Sequence, residues 1–201
     1  TARDSQIDRI SYEYDASRLL VGTLFYDSAD ILVWKTVSEY NADRTIRAES
    51  DYNATGALQS KTIYKYEGRA MTESYYDGNG RLLERTITLR DSSGRTVEKS
   101  HYTSDGSLDR KELYSYGDNG KLARIETTDG DGVSRYKTVY KYDAAAFITE
   151  VQLFDNNDTL FQRDIYKNDD RGNPTRISVY SVAQKFGTTV HELLKITAGM
   201  R

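Results

Sequence analysis

The chain reads as an all-β protein: about fourteen antiparallel strands in one meander of tandem β-hairpins. Three observations predict this. Tyr-Asp, Tyr-Asn and degenerate copies of that pair recur at 14, 26, 40, 52, 66, 76, 90, 102, 116, 128, 142, 154, 168 and 180, a 26-residue repeat with spacings that alternate between 12 and 14. Every spacing is even, including the short step from 66 to 76, so each copy keeps its side-chain parity in a structure whose faces alternate with period two. After each anchor comes a turn segment, as in Tyr76-Asp77-Gly78-Asn79-Gly80-Arg81-Leu82 and Tyr116-Gly117-Asp118-Asn119-Gly120-Lys121-Leu122.

Gly falls four residues past the anchor in the clearest copies. A type I turn followed by a left-handed Gly closes a three-residue loop of this kind and sets the anchor opposite the residue six positions on. Extended along the strands, that register pairs Val21 with Val37, Glu49 with Lys61, Glu73 with Arg85, Met71 with Ile87 and Ala123 with Val139. It also sets Glu98 beside Glu112 and Lys99 opposite Lys111, an expected cost.

Strands leading into alternate anchors carry basic, Thr, aliphatic and Tyr positions in order, best seen in Lys61-Thr62-Ile63-Tyr64-Lys65-Tyr66 and Lys137-Thr138-Val139-Tyr140-Lys141-Tyr142. One face therefore carries the basic row Arg9, Lys35, Lys61, Arg85, Lys111, Lys137 and Arg163 beside aliphatics, and the other carries Thr and Tyr. So many strands exceed what usually stays flat, which predicts a single curled sheet or open shell, with the Tyr face concave. Residues 1–180 form the repeat domain and 181–201 a C-terminal cap segment, where Thr189 and Glu192 three residues on have capping-box spacing and predict a short helix over the last edge.

Charge is dense but balanced, 28 basic against 31 acidic residues, so no net basic field favours nucleic acid. No apolar run approaches the roughly 18 residues of a membrane helix, and charge on both strand faces argues against a lipid-facing barrel. The expectation is a chain that does not span a membrane. The absence of Cys removes disulfides and thiolate chemistry. His101 and His191 fall far apart in the repeat, and no Ser-His-Asp order or phosphate-cradling loop occurs, so no enzyme, catalytic residue or cofactor is expected. Acidic turns such as Asp129-Gly130-Asp131-Gly132 and Asp155-Asn156-Asn157-Asp158 complete no calcium loop and are explained by turn propensity, so no metal site is expected.

Tyr64, Tyr66, Tyr114, Tyr116, Tyr140, Tyr142 and Tyr166 are the candidate ligand-binding residues. They recur on alternate strands, roughly 9.5 Å apart, and rings with a polar tip suit stacking on sugars. The competing explanation is sheet packing, since the derived register sets Tyr64 against Ile46, Tyr140 against Leu122, Tyr166 against Ile148, and Tyr116 and Tyr142 against Gly94 and Gly120.

The copies Tyr12-Glu13-Tyr14-Asp15-Ala16-Ser17-Arg18-Leu19 and Tyr75-Tyr76-Asp77-Gly78-Asn79-Gly80-Arg81-Leu82 resemble the YD repeat of bacterial RHS and wall-associated proteins. Others, such as Asp51-Tyr52-Asn53-Ala54-Thr55-Gly56-Ala57-Leu58, are similar to the variant MORN repeat of bacterial proteins. Either resemblance implies a bacterial secreted or cell-envelope or periplasmic scaffold. It presents a sheet surface to carbohydrate or another protein, or serves as a shell segment of a larger RHS toxin-type protein.

Overall fold

In a computed structural model, residues 7–185 and 188–198 are described. Among the described residues fifteen strands follow one another in chain order through the hydrogen-bond ladder, and the paired neighbours run antiparallel. The chain divides into two compact units. Unit 1 comprises residues 1–94 and 101–107, and unit 2 residues 95–100 and 108–201. Unit 1 holds β1 (Arg9–Tyr14), β2 (Leu20–Tyr26), β3 (Leu32–Tyr40), β4 (Ile46–Asn53), β5 (Leu58–Glu67), β6 (Ala70–Asp77) and β7 (Leu82–Arg90). The residues of β8 (Thr96–Thr103) are divided between the units. Unit 2 holds β9 (Leu108–Tyr116), β10 (Leu122–Asp129), β11 (Ser134–Tyr142), β12 (Ile148–Phe154), β13 (Leu160–Asn168), β14 (Pro174–Lys185) and β15 (Thr188–Ala198).

The turns form as the sequence predicts. In the hairpin closed at Tyr76, Gly80 N donates to Asp77 O and Asp77 N to Arg81 O, both at 3.0 Å, with Gly80 at φ +81°. Where the fourth position is Arg18, Asp30, Arg44, Ala146 or Asp158, that residue takes φ of 60–69° despite its side chain. The second letter of the repeated pair has a direct physical role. The Oδ1 atoms of Asp15, Asp27, Asn53, Asp77, Asp129, Asp143, Asp155 and Asp169 each accept from the backbone N–H groups two and four residues on. Where the position after the anchor is Asn41, Thr103 or Gly117, Asp43, Asp105 or Asn119 accepts the second of these bonds instead.

The anchors pair as expected with the residue six positions on, among them Tyr26 with Leu32, Tyr76 with Leu82 and Tyr116 with Leu122. The register then departs from expectation by one residue. A β-bulge follows each of these pairs, so Gly22, not Val21, faces Val37; Ser50 faces Lys61, Ser74 faces Arg85, Thr72 faces Ile87 and Arg124 faces Val139. The extra residue lies on the outgoing strand, seven positions past the anchor: Val33, Gln59 and Leu83 are examples. The expected Tyr partners shift with it. Lys111, expected opposite Lys99, has its Nζ 3.1 Å from Glu98 Oε1 instead.

The short hairpin β5–β6 fits the same arithmetic. A two-residue turn with Gly68 at φ +59° follows the Glu67–Ala70 pair, and no bulge interrupts the ladder. Eight residues separate the partners Glu39 and Ala48 across an ordinary hairpin, and six separate Lys65 and Thr72 across the short one. A three-residue loop with a bulge and a two-residue loop without one differ by two residues, so both faces pass through unchanged.

The predicted C-terminal helix is not present: residues 188–198 form β15, paired with β14 from Lys185–Thr188 to Arg176–Ala198. Thr189 and Glu192 have capping-box spacing, but Thr188, Thr189, Val190, Ile196 and Thr197 favour an extended backbone, and the ladder groups of β14 find partners only in a strand. Among the described residues no helix is long and apolar enough to cross a membrane.

Among the described residues, buried side chains are few and mostly small and polar: Ser50, Ser60, Thr88, Ser100, Thr127, Glu150 and Ser178, against the hydrophobic Val33, Ala48 and Val182. Register and cross-strand contacts therefore organise the units more than a thick apolar core does.

Candidate functional site

The basic face neutralises itself. Lys35 lies 3.3 Å from Glu13, Lys61 3.8 Å from Glu39, and Arg163 2.6 Å from Glu150, while Lys137 pairs with Asp158. Register sets Arg9 beside Tyr26, Lys35 beside Tyr52, Lys61 beside Tyr76, Lys137 beside Phe154 and Arg163 beside Tyr180. Arg9 and Lys137 stand over their neighbouring rings at 3.8 and 4.3 Å from the centroids, and Arg85 stands 4.6 Å over Tyr102. Burial alone pushes the Glu150 carboxyl up, but hydrogen bonds from Arg163 and Gln152, with the charges of Arg163 and Lys141, hold it below its ordinary value.

The candidate tyrosines separate into two kinds. Tyr116 and Tyr142 are tied to the backbone: their hydroxyls donate to Thr96 O at 2.7 Å and Leu122 O at 2.8 Å. Tyr40 donates likewise to Leu20 O, and Asn168 Nδ2 to Ile148 O, always twenty residues back. These side chains satisfy the carbonyl six positions past the preceding same-side anchor.

Tyr64 and Tyr66 on β5, Tyr114 on β9, Tyr140 on β11 and Tyr166 on β13 lie on the Thr/Tyr face. In unit 2, Tyr114 pairs with Ile125, Tyr140 with Val151 and Tyr166 with Ile177, while Thr138 faces Leu153. Burial raises the Tyr140 and Tyr166 phenols above their ordinary value. Tyr114 is raised by burial and by its 2.5 Å hydrogen bond to Glu112, and the electrostatic influence of Tyr140 reaches both Tyr114 and Tyr166. The row thus combines half-buried rings and aliphatic neighbours.

In unit 1 the same face is acidic. Two adjacent rows cross β5, β6 and β7: Thr62–Tyr75–Glu84 and Tyr64–Glu73–Thr86. These six residues line a concavity of about 220 Å³. Tyr64 donates to Glu49 Oε2 at 2.9 Å, and burial followed by that bond raises its phenol. Thr86 Oγ1 lies 3.2 Å from His101 Nδ1. Tyr66 is 41% exposed and lines a neighbouring groove with Asp43, Arg47 and Glu67. Sequence reasoning found Tyr64 but passed over Glu73, because the unbulged register assigned it to Arg85. Among the described residues no group of three or more His, Asp or Glu is placed to hold a metal.

No protein-family profile matches the chain, and no curated protein matches it. Among solved structures, the chain is similar to a crystal structure of TcdB2-TccC3-TEV, with 14% identity and a TM-score of 0.40 over 92% of this chain and 12% of that one. It is also similar to the Photorhabdus luminescens Tc holotoxin pore, with 13% identity and a TM-score of 0.37 over 85% and 11% of the two chains. A porin-like protein from Bacteroides uniformis matches at 13% identity and a TM-score of 0.37 over 89% of each chain. The chain thus spans only about an eighth of the toxin-component chain, and at these TM-scores the likenesses bear on neither kinship nor function.

Proposed function

We propose that the chain is a non-catalytic repeat scaffold of a secreted or envelope-associated bacterial protein, and that its Thr/Tyr face is a binding surface for carbohydrate. The observation that carries this reading is the row Tyr114, Tyr140 and Tyr166, rings repeated on every second strand of unit 2 beside hydroxyl and carboxylate groups. Flat apolar rings stack on sugar faces, and polar neighbours take the sugar hydroxyls. The other face spends its charges on internal ion pairs and cation–π contacts. Many turn carboxylates cap backbone N–H groups, which supports a structural use of the acids rather than acid–base chemistry.

A glycan array tests this reading. The folded chain is expected to retain a defined set of glycans, Tyr140→Ala and Tyr166→Ala to lose them with an unchanged far-UV spectrum, and Tyr142→Phe to keep them. A folded chain that retains no glycan overturns the carbohydrate reading.

A second reading, a shell segment of a larger toxin-type protein, is supported by the aliphatic residues Ile125, Val151, Leu153 and Ile177 on the same face. It predicts that the chain suppresses aggregation of an unfolding protein, and that Val151→Asp weakens this effect.

A further inference from the structure

The geometry points to the unit 1 concavity as a site for an organic ammonium group, specifically the free amine of a hexosamine unit. This inference rests on the carbohydrate reading of the Thr/Tyr face and deepens it.

The arrangement is a checkerboard. In the rows Thr62–Tyr75–Glu84 and Tyr64–Glu73–Thr86, the two rings occupy one diagonal between neighbouring strands and the two carboxylates another. Diagonal neighbours in a ladder stand roughly 7–8 Å apart. A single ammonium placed between them is within reach of both carboxylates while its carbon skeleton lies against the rings. The two threonine hydroxyls complete the lining.

Two features set these carboxylates apart from most of the acids around them. Glu13, Glu39, Glu98, Glu126 and Glu150 have cationic partners, and Glu49, Asp51 and Asp164 accept hydrogen bonds from side chains. No described hydrogen bond or ion pair engages Glu73 or Glu84, although Glu73 is half-buried. The repeat also supplies an internal comparison. The positions equivalent to Glu73, Tyr75 and Glu84 one repeat on are Lys99, His101 and Arg110, and two repeats on Ile125, Thr127 and Tyr136, so the acids are a local departure and not part of the repeat pattern.

The same chemistry disfavours a metal. Hard cations such as calcium take six to eight oxygen ligands, whereas two carboxylates beside two aromatic rings suit a softer organic cation through charge and the ring quadrupole. Tyr64 is held by its bond to Glu49, so its ring is positioned before a ligand arrives.

Calorimetric titration of the full chain at low salt tests the site with three probes: a glucosamine tetramer with free amines, its fully N-acetylated form, and a glucose tetramer. The free-amine tetramer is expected to bind about tenfold more tightly than the other two, a modest gain suited to a partly exposed charge pair. Glu73→Gln and Glu84→Gln are each expected to remove the difference. Equal affinity for acetylated and free-amine forms overturns the ammonium site but keeps the carbohydrate reading. Binding by none of the three overturns both. A preference for the free amine that survives both substitutions places its origin elsewhere and also overturns the site.

Discussion

Ala146 occupies a position that most copies fill with Gly, and it holds φ +64° in the turn closed by Asp143 and Phe147. A left-handed Ala costs roughly 1–2 kcal/mol, and Gly returns part of that gain through unfolded-chain entropy. Ala146→Gly is therefore expected to stabilise the chain by about 0.5–1 kcal/mol, measured as a raised urea midpoint at constant slope. Gly78 is the opposite case. Its φ is not left-handed, but a Cβ there would fall on the backbone carbonyl oxygen of Leu58, which has little room to move. Gly78→Ala should lower the midpoint, whereas the Cβ of Gly106→Ala meets open space and only the φ penalty applies. Tyr142→Phe should cost about 1 kcal/mol, because it removes one hydrogen bond and leaves Leu122 O without that donor.

At the scale of the hairpin, loop length and bulge act as one device. Two residues inserted after Gly68 should allow β5–β6 to adopt the three-residue loop with a bulge, and the fold should survive. One inserted residue should turn one strand over and disrupt unit 1, seen as early hydrogen exchange across β5–β7. The turns were legible in the sequence because their chemistry is local: Asp caps N–H groups, and Gly at the fourth position accepts φ above zero. The bulge was not, because Val33, Arg47, Gln59 and Leu83 share no side-chain chemistry that marks their common place. The Glu73 error came from that single missing residue. The C-terminal strand was hidden for another reason: a capping-box spacing describes a few residues, whereas the need to pair β14 belongs to the sheet. Tyr64, Tyr140 and Tyr166 were legible as a face from period two alone, but the backbone ties of Tyr116 and Tyr142 required a neighbour twenty residues away.

For the whole molecule, titration limits stability at both ends of the pH scale. Asp43, Asp105 and Asp169 are held below their ordinary values chiefly by side-chain hydrogen bonds from Thr45, Thr103 and Asn173, and Glu150 is lowered by Arg163 against the effect of burial. Their contribution is present above the ordinary carboxylate range and is lost as pH falls through the depressed folded values, so the urea midpoint should drop from about pH 4 downward. The phenols of Tyr64, Tyr114, Tyr140 and Tyr166 are raised, first by burial. The unfolded chain ionises them from about pH 10 while the folded chain keeps them protonated, so stability is lost as pH rises further. Phenolate absorbance should therefore show a late component that appears together with loss of the β spectrum. If every Tyr titrates before unfolding begins, the buried-phenol account fails.

The equivalence of the two hairpin closures also matters to the gene. Because each closure passes the basic and Tyr faces through unchanged, blocks of 24 or 26 residues can be duplicated, excised or exchanged by recombination without inverting the strands downstream. A slip of an odd number of codons in a strand would exchange the two faces for the rest of that strand. Such a chain can therefore change in length, and drift in the residues that decorate one face, while the faces themselves are inherited intact.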